Sequence, residues 1–410
     1  MSVRVKTATI DSIQAGFCSD DILCEILIRL PPESVFRLIL VSKRWLHFIC
    51  SPSYRHNYTR KWRLKFSLLG FFTCNTLYLG RPRDGLRRPP SEPALSLLST
   101  SKEGDEIKFS GILKELGYFI DSKNGLILCG RHPKTYFLWN PFTKQHYKLP
   151  RPRVYFDELC MAFLVEDHAD EIMCYKVIRA KCERRLDEVK TIAIETFNPK
   201  TSTWYFSILH CSSTLSLCPW KVATVIKCVV YWFAEHGKIA IYDSGDEGKQ
   251  IALLKLPGSN DFDEQVLGES FDGLLQYGWS CKSGLEIWVF EREPSECTSS
   301  NVYETNRWNR RYRLNFKIMW KMNPSVAATL HTGKKETQIL SFIPQNTESV
   351  FIRTGSDIFV CDLVSQTVEV VRYQGRTPPI LWDHIHSRVV PYFSPAWPTL
   401  PSRQSSVIMI

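Results

Sequence analysis

Residues 16–62 read GFCSDDILCEILIRLPPESVFRLILVSKRWLHFICSPSYRHNYTRKW. Two short apolar segments are split by Pro31-Pro32, and a third opens near Ser42. Ser19 can cap the first segment as a helix. Asp20 and Asp21 then fall in its first turn, where carboxylates suit the positive end of the helix dipole. The proline pair stops that helix at Leu30. Pro32 can begin the next one, because a first-turn residue needs no amide hydrogen. Ser42 can cap a third helix that carries Trp45, Phe48 and Ile49 and ends before Pro52.

These helices hold more apolar surface than a small domain uses. In the first, Ile22, Leu23, Cys24, Ile26, Leu27, Ile28 and Leu30 are interrupted only by Glu25 and Arg29. The apolar positions sweep about 240°, where a surface helix needs about 100°. The second helix repeats this with Val35, Phe36, Leu38, Ile39, Leu40 and Val41 around Arg37. Three such helices also sit near the lower size limit for a self-sufficient core. Two readings stand equally on the pattern: a partner protein covers the surplus, or the rest of the chain does.

The order and spacing of these residues resemble an F-box. That family runs through two acidic residues, an apolar Ile-Leu helix, Leu-Pro and a Val-x-Lys-x-Trp segment. Here these are Asp20-Asp21, Ile22-Leu23 with Glu25-Ile26-Leu27, Leu30-Pro31, and Val41-Ser42-Lys43-Arg44-Trp45. The family's opening Leu-Pro is replaced by Cys18-Ser19. The resemblance implies a three-helix domain that docks the Skp adaptor, and through it the cullin, of a cullin-RING ubiquitin ligase. The adaptor-binding residues it implies are Ile22, Leu23, Ile26, Leu27, Leu30, Pro31, Val35 and Leu38. Some of these must instead build the domain's own core, and the sequence does not sort them. Trp45 and Ile49 are assigned to internal packing.

The chain of 410 residues has room for two or three domains. The division expected is a flexible 1–15, the helical 16–62, a strand-rich 63–401 with a basic loop near 80–105, and a tail from 402 to 410. Hydrophobic residues at 44% and charged residues at 23% are ordinary for a globular protein. The first fifteen residues lack the apolar core of a secretory signal. No run approaches the 18 apolar residues of a membrane span, so no membrane partner is expected. Fourteen cysteines contain no Cys-x-x-Cys pair. Free thiols in a reducing compartment, cytoplasmic or nuclear, are the simplest reading.

The net charge of +10 is unevenly placed. Residues 51–90 hold Arg55, Arg60, Lys61, Arg63, Lys65, Arg81, Arg83, Arg87 and Arg88 against Asp84 alone. A second basic run adds Arg310, Arg311, Arg313 and Lys317. Such charge could draw nucleic acid or an acidic partner. No nucleic-acid motif accompanies it, so solvated basic faces are the preferred reading.

From about residue 107 the chain becomes short strands separated by turns. Residues 125–129 and 135–139 are followed by an Asn140-Pro141-Phe142-Thr143 turn, another strand, and Leu149-Pro150. Asn bonds its own backbone and Pro fixes φ at the next position, which favours a turn. The unit recurs around Asn198-Pro199-Lys200-Thr201, Asp243, Glu291 and Asp362, at intervals of about 45 to 70 residues. Four-stranded propeller blades repeat every 40–50 residues or so, with insertions accounting for longer intervals.

These repeats resemble the kelch-like F-box-associated domain of plant F-box proteins, on Asn124-Gly125-Leu126-Ile127-Leu128 and Trp139-Asn140-Pro141-x-Thr143. The fold class expected is mainly β with a small N-terminal α domain: a three-helix F-box, then a β-propeller of six or seven blades. No phosphate loop, dinucleotide fingerprint or nucleophile elbow is present. His384 and His386 share one face of an extended segment, but two ligands do not make a metal site. No cofactor is implied. The resemblance implies a non-catalytic substrate-recognition subunit with an unknown protein target. The propeller loops near 151–157, 179–190, 243–249 and 291–312 are candidates for holding that target. A propeller-based glycan-binding or enzymatic module, or nucleic-acid binding through 51–90, are the alternatives.

Overall fold

The computed structural model describes residues 20–38, 41–51, 53–54, 57–58, 61, 68–75, 95–99, 115–131, 134–141, 145–166, 174–182, 190–219, 221–245, 250–258, 264–291, 307–328, 330, 336–343, 346–355, 357–371 and 387–393. The expected termini 1–15 and 402–410 and the pair His384 and His386 lie outside them.

Three short helices come first: α1 (Asp20–Leu27), α2 (Pro32–Leu38) and α3 (Lys43–Ile49). Helix α1 stops at Leu27, three residues before the expected end. Residues 28–30 continue as a tight turn in which Arg29 N bonds Ile26 O and Leu30 N bonds Leu27 O. Ser42 caps α3 as expected, its hydroxyl accepting from Trp45 N at 3.2 Å.

The remainder is a series of antiparallel sheets. Strands β1 (Leu68–Asn75) and β2 (Leu95–Ser99) pair first. Strand β2 falls within the stretch expected to be a basic loop; its backbone pairs Leu95, Leu97 and Leu98 with Cys74, Phe72 and Phe71 of β1. The second unit is β3 (Tyr118–Lys123), β4 (Leu126–Arg131), β5 (Thr135–Asn140) and β6 (Gln145–Lys148). The third is β7 (Leu159–Glu166), β8 (Cys174–Lys181), β9 (Thr191–Asn198) and β10 (Thr203–Cys211). The fourth is β11 (Thr224–Ile226), β12 (Val229–Ala234), β13 (Lys238–Asp243) and β14 (Gln250–Lys255). The third and fourth units join through a two-residue parallel pairing of β10 with β14. The fifth is β15 (Glu264–Glu269), β16 (Leu275–Cys281), β17 (Gly284–Glu291) and β18 (Arg307–Asn315).

A helical insertion missed by the strand reading follows: α4 (Phe316–Met322) and α5 (Pro324–Ala327). Its signal was an Asn cap, since Asn315 Oδ1 accepts from Lys317 N and Ile318 N, ahead of buried Phe316 and Met319 at i, i+3 spacing. The sixth unit is β19 (Thr337–Ile343), β20 (Asn346–Thr354), β21 (Asp357–Asp362) and β22 (Val368–Val370).

The last strand, β23 (Ser387–Phe393), returns to pair with β1. Phe72 meets Tyr392 there with ring centroids 4.4 Å apart. Strands of successive units then meet around a ring. β1 contacts β3, β3 contacts β7, β7 contacts β11, β11 contacts β15, β15 contacts β19, and β19 contacts β23. The described residues therefore form a closed β-propeller of antiparallel sheet units. Short, covered edges are the physical advantage of such closure.

The turn chemistry repeats as expected. Asn198 Oδ1 accepts from Lys200 N at 2.9 Å, and the hydroxyls of Thr201 and Thr203 are 2.9 Å apart. In the sixth unit, Asp362 Oδ1 accepts from Val364 N and Ser365 N, and Ser365 meets Thr367 at 2.8 Å. Ser202 and Gln366 occupy the same left-handed position in the two turns, at φ 50° and 58°.

One polar contact is buried between the second and third units. Arg179 of β8 and Glu195 of β9 are fully buried and ion-paired. Glu195 Oε1 also accepts from Arg153 N and Val154 N, at 2.9 and 3.0 Å. The guanidinium lies 5.0 to 5.7 Å from the rings of Phe156, Tyr136 and Trp204. A charge removed from water is tolerable only with this degree of pairing. The result is that the 150–157 connection is pinned to the sheet.

Candidate functional site

The helical domain has its own core. Leu23, Leu27, Val35, Ile49, Tyr54 and Tyr58 form a buried cluster, with Cys24, Ile28, Leu30, Leu38, Trp45 and Phe48 packed around it. Tyr54 packs between Phe48 and Tyr58 in tilted contacts, at 5.3 and 5.7 Å between ring centres. Tyr58 donates its hydroxyl to Leu30 O at 2.7 Å, tying the segment after α3 to the turn after α1. Among the described residues, none of this core comes from the propeller.

This arrangement sorts the eight residues that the sequence left together. Leu23 and Leu27 lie one turn apart and face inward, Leu27 with 0% exposure. Val35 joins them, and Leu30 and Leu38 pack at the edge of the cluster. Ile22 and Ile26 lie one turn apart on a second stripe and are 53% and 49% exposed. Pro31 is exposed as well. The outward apolar surface is therefore narrower than the eight residues expected: helix periodicity marks all of them as apolar, and only packing decides which stripe turns in. The domain also exposes Val41 and Leu46, which the sequence reading did not single out.

The charged groups frame this surface without filling it. Asp20 pairs with Arg44 across α1 and α3 at 3.1 Å, and Glu25 pairs with Arg29 at 3.1 Å. All four are largely exposed, so each pair contributes little, about 0–1 kcal/mol. Burial pushes the Cys24 thiol up, with Glu25 and Asp21 adding to the shift. The domain therefore offers apolar contact ringed by charge, which suits docking. Among the described residues no group of three or more His, Cys, Asp or Glu is placed to hold a metal ion.

On the propeller, residues 151–157 form a connection held by Glu195 as described above. Residues 179–181 and 307–312, expected as loops, are strands β8 and β18. Residues 183–189, 246–249 and 292–306 lie outside the described residues. The second basic run is largely neutralised where it stands. Arg310 and Arg313 both reach Glu286, at 3.3 and 3.4 Å, and Arg311 reaches Asp272 at 3.7 Å. Arg310 also lies over Trp288. Cross-strand pairing of this kind serves the sheet. Most of the basic stretch 51–90 lies outside the described residues.

Comparison with known proteins agrees with both halves. A model of the F-box domain matches residues 18–57. A model described as "F-box protein At3g26010-like, beta-propeller" matches residues 104–339. The F-box protein At5g03970 of Arabidopsis thaliana is 53% identical over 392 residues, covering 96% of this chain and 91% of that protein. The putative F-box protein At1g47390 of the same plant is 25% identical, covering 69% of this chain and 73% of its own. The putative F-box/kelch-repeat protein At1g15680, also of Arabidopsis thaliana, is 22% identical, covering 86% and 87% respectively.

Proposed function

This chain belongs to the F-box proteins whose F-box is followed by a β-propeller, and from that premise we propose that it is the substrate-recognition subunit of an SCF-type cullin-RING ubiquitin ligase. The F-box docks a Skp-type adaptor, and the propeller holds a target protein. The subunit itself performs no chemistry. It raises the effective concentration of target lysines near the ubiquitin-charged enzyme.

The observation that carries this reading is the double stripe of α1. The inward stripe, Leu23 and Leu27, completes the domain's own core. The outward stripe, Ile22 and Ile26, remains half exposed beside exposed Pro31. A domain that has satisfied its own core and still exposes isoleucines one helical turn apart has the surface of a docking face. The adaptor face is thus assigned to Ile22, Ile26 and Pro31, with Leu30 and Leu38 at its margin. A ligase subunit of this kind works in the cytoplasm or nucleus.

The test is co-purification with a Skp adaptor, comparing the unmodified protein with Ile22→Asp and Ile26→Asp. The unmodified protein is expected to retain the adaptor. Both variants should stay folded and lose it, because a carboxylate desolvated in the interface costs several kcal/mol, on the order of 2–7. Adaptor binding that survives both substitutions, or a soluble protein that binds no adaptor, would overturn the assignment.

A further inference from the structure

Exposed apolar surface is not confined to the F-box. In β10, Tyr205, Phe206 and Ile208 are 49%, 48% and 46% exposed. The strand reads TWYFSILHC over nine residues and carries no Lys, Arg, Asp or Glu. The outermost strands of the second, fourth, fifth and sixth units are protected. Strand β6 has four residues and includes Lys148; β22 has three and includes Glu369. Strand β14 ends in Lys255, and β18 carries Arg307, Arg310, Arg311 and Arg313. Brevity and charge are how sheet edges resist pairing with other chains. Strand β10 uses neither.

Its outer backbone edge is sparsely paired among the described residues. Strand β10 pairs with β9 from Thr203 to His210. On its other side, among the described residues, it meets only β14, at His210 and Cys211. Cys211 N bonds Lys190 O at 2.8 Å, which makes the odd-numbered residues of β10 the ones bonded to β9. The N–H and C=O groups of Trp204, Phe206 and Ile208 therefore point to the outer edge, where no described strand receives them.

One end of this edge is basic. Trp204 Nε1 donates to Pro150 O at 2.8 Å, and Glu195 holds the amides of Arg153 and Val154, so the 150–157 connection is clamped at the Thr203 end of the strand. Arg151, Arg153 and Lys200 are exposed there, against Asp157. The Tyr205 hydroxyl is held below the usual phenol range by its bond to Thr201, with Arg153 contributing.

We propose that the outer edge of β10 binds an extended segment of the target as an added β-strand, with an acidic side chain of that segment at the Arg153 end. This rests on the receptor reading above and names the class of segment: extended, apolar where it meets Phe206 and Ile208, acidic at one end. Main-chain bonds to the edge supply affinity, and the side chains supply selection.

The probe is a displayed library of linear nonapeptides, panned against the full-length protein, with synthetic peptides made from the enriched set. Phe206→Pro removes an outward N–H without touching the β9 ladder, a position where edge strands accept proline. Phe206→Ala keeps that N–H. Enriched peptides should carry acidic residues, and Phe206→Pro should weaken them about tenfold or more, beyond the effect of Phe206→Ala. Arg153→Glu should weaken acidic peptides and spare basic ones. Should Phe206→Pro fail to fold, Ile208→Lys places a guarding charge on the same edge and should produce the same loss. No enrichment, or peptides indifferent to these changes, would overturn the proposal. So would a concentration-dependent dimer that dissolves in Phe206→Pro, since it would give the edge to a second copy of the chain. Adaptor binding is measured on the same samples: its absence overturns the receptor reading, whereas its presence without peptide dependence on β10 overturns only this inference.

Discussion

Arg179 and Glu195 face each other across β8 and β9 as a wholly buried ion pair, and the carboxylate that neutralises the arginine also holds the amides of Arg153 and Val154. One side chain thus compensates a buried charge and anchors a connection between two sheet units.

Arg179→Met leaves Glu195 buried with its principal countercharge gone. Removing one partner of such a pair costs about 3–5 kcal/mol. Urea unfolding should show that loss. The double variant Arg179→Met with Glu195→Leu should recover part of it, because no unpaired charge remains, though the two loop amides lose their acceptor. A double variant no better than the worse single one would mean the ion pair is not the main contribution.

Leu27 and Ile26 are adjacent in α1 and should behave oppositely. Leu27→Ala opens a cavity in the helical core and should cost about 2–5 kcal/mol of F-box stability. Ile26→Ala trims an exposed side chain and should stay within about 0.5 kcal/mol. Thermal unfolding followed by helical circular dichroism separates the two. Adaptor affinity should fall in Ile26→Ala while stability holds.

The Asp362 carboxyl is held below the usual carboxylate range by the amide and hydroxyl of Ser365. A group whose folded pKa is depressed contributes stability above its unfolded pKa, about 3.9, and loses it as pH falls through the folded value. Carboxyl NMR titration should place the Asp362 midpoint below that of an unstructured aspartate. Ser365→Ala should raise it; an unchanged midpoint would contradict the bonds seen in this turn.

Burial pushes the Cys361 thiol up to about 12, with Asp362 adding to the shift. It should remain protonated throughout the physiological range and resist alkylation at pH 8 in the native protein. Exposed Cys50 should react at that pH. Mass mapping after iodoacetamide treatment reads both, and early modification of Cys361 would show that the sixth unit opens locally.

Much of this was legible in the residues. Pro31-Pro32 and Ser42 set the F-box helices, and Asn198-Pro199 and Asp362 marked real turns, because these residues act through local backbone chemistry. The sorting of Leu23 and Leu27 from Ile22 and Ile26 was not legible, since a helix apolar on most sides gives no sign of which stripe meets α2 and α3. Strand β2 was hidden by the Pro- and Arg-rich stretch before it, and α4 by its position within a run of strands. The Arg179–Glu195 pair depends on the register of β8 with β9, which no local pattern encodes. The same holds for the outer edge of β10: its composition was visible, but its sparse pairing among the described residues is a property of the assembled sheets.

The pairing of β23 with β1 has a consequence for biosynthesis. Among the described residues, the F-box core lies between Leu23 and Tyr58. The propeller's first unit lacks its inner strand until residue 393 has emerged from the ribosome. Under the proposed receptor function, a nascent chain would therefore present its F-box well before it possesses a closed propeller. An adaptor that engages early would tether unfinished receptors to the ligase, with the unclosed sheet edges of the same polypeptide within reach of ubiquitin transfer. Molecules truncated before β23 would be held in that state, so under the same proposal ring closure would separate a subunit that delivers targets from one that is itself exposed to the machinery it joins.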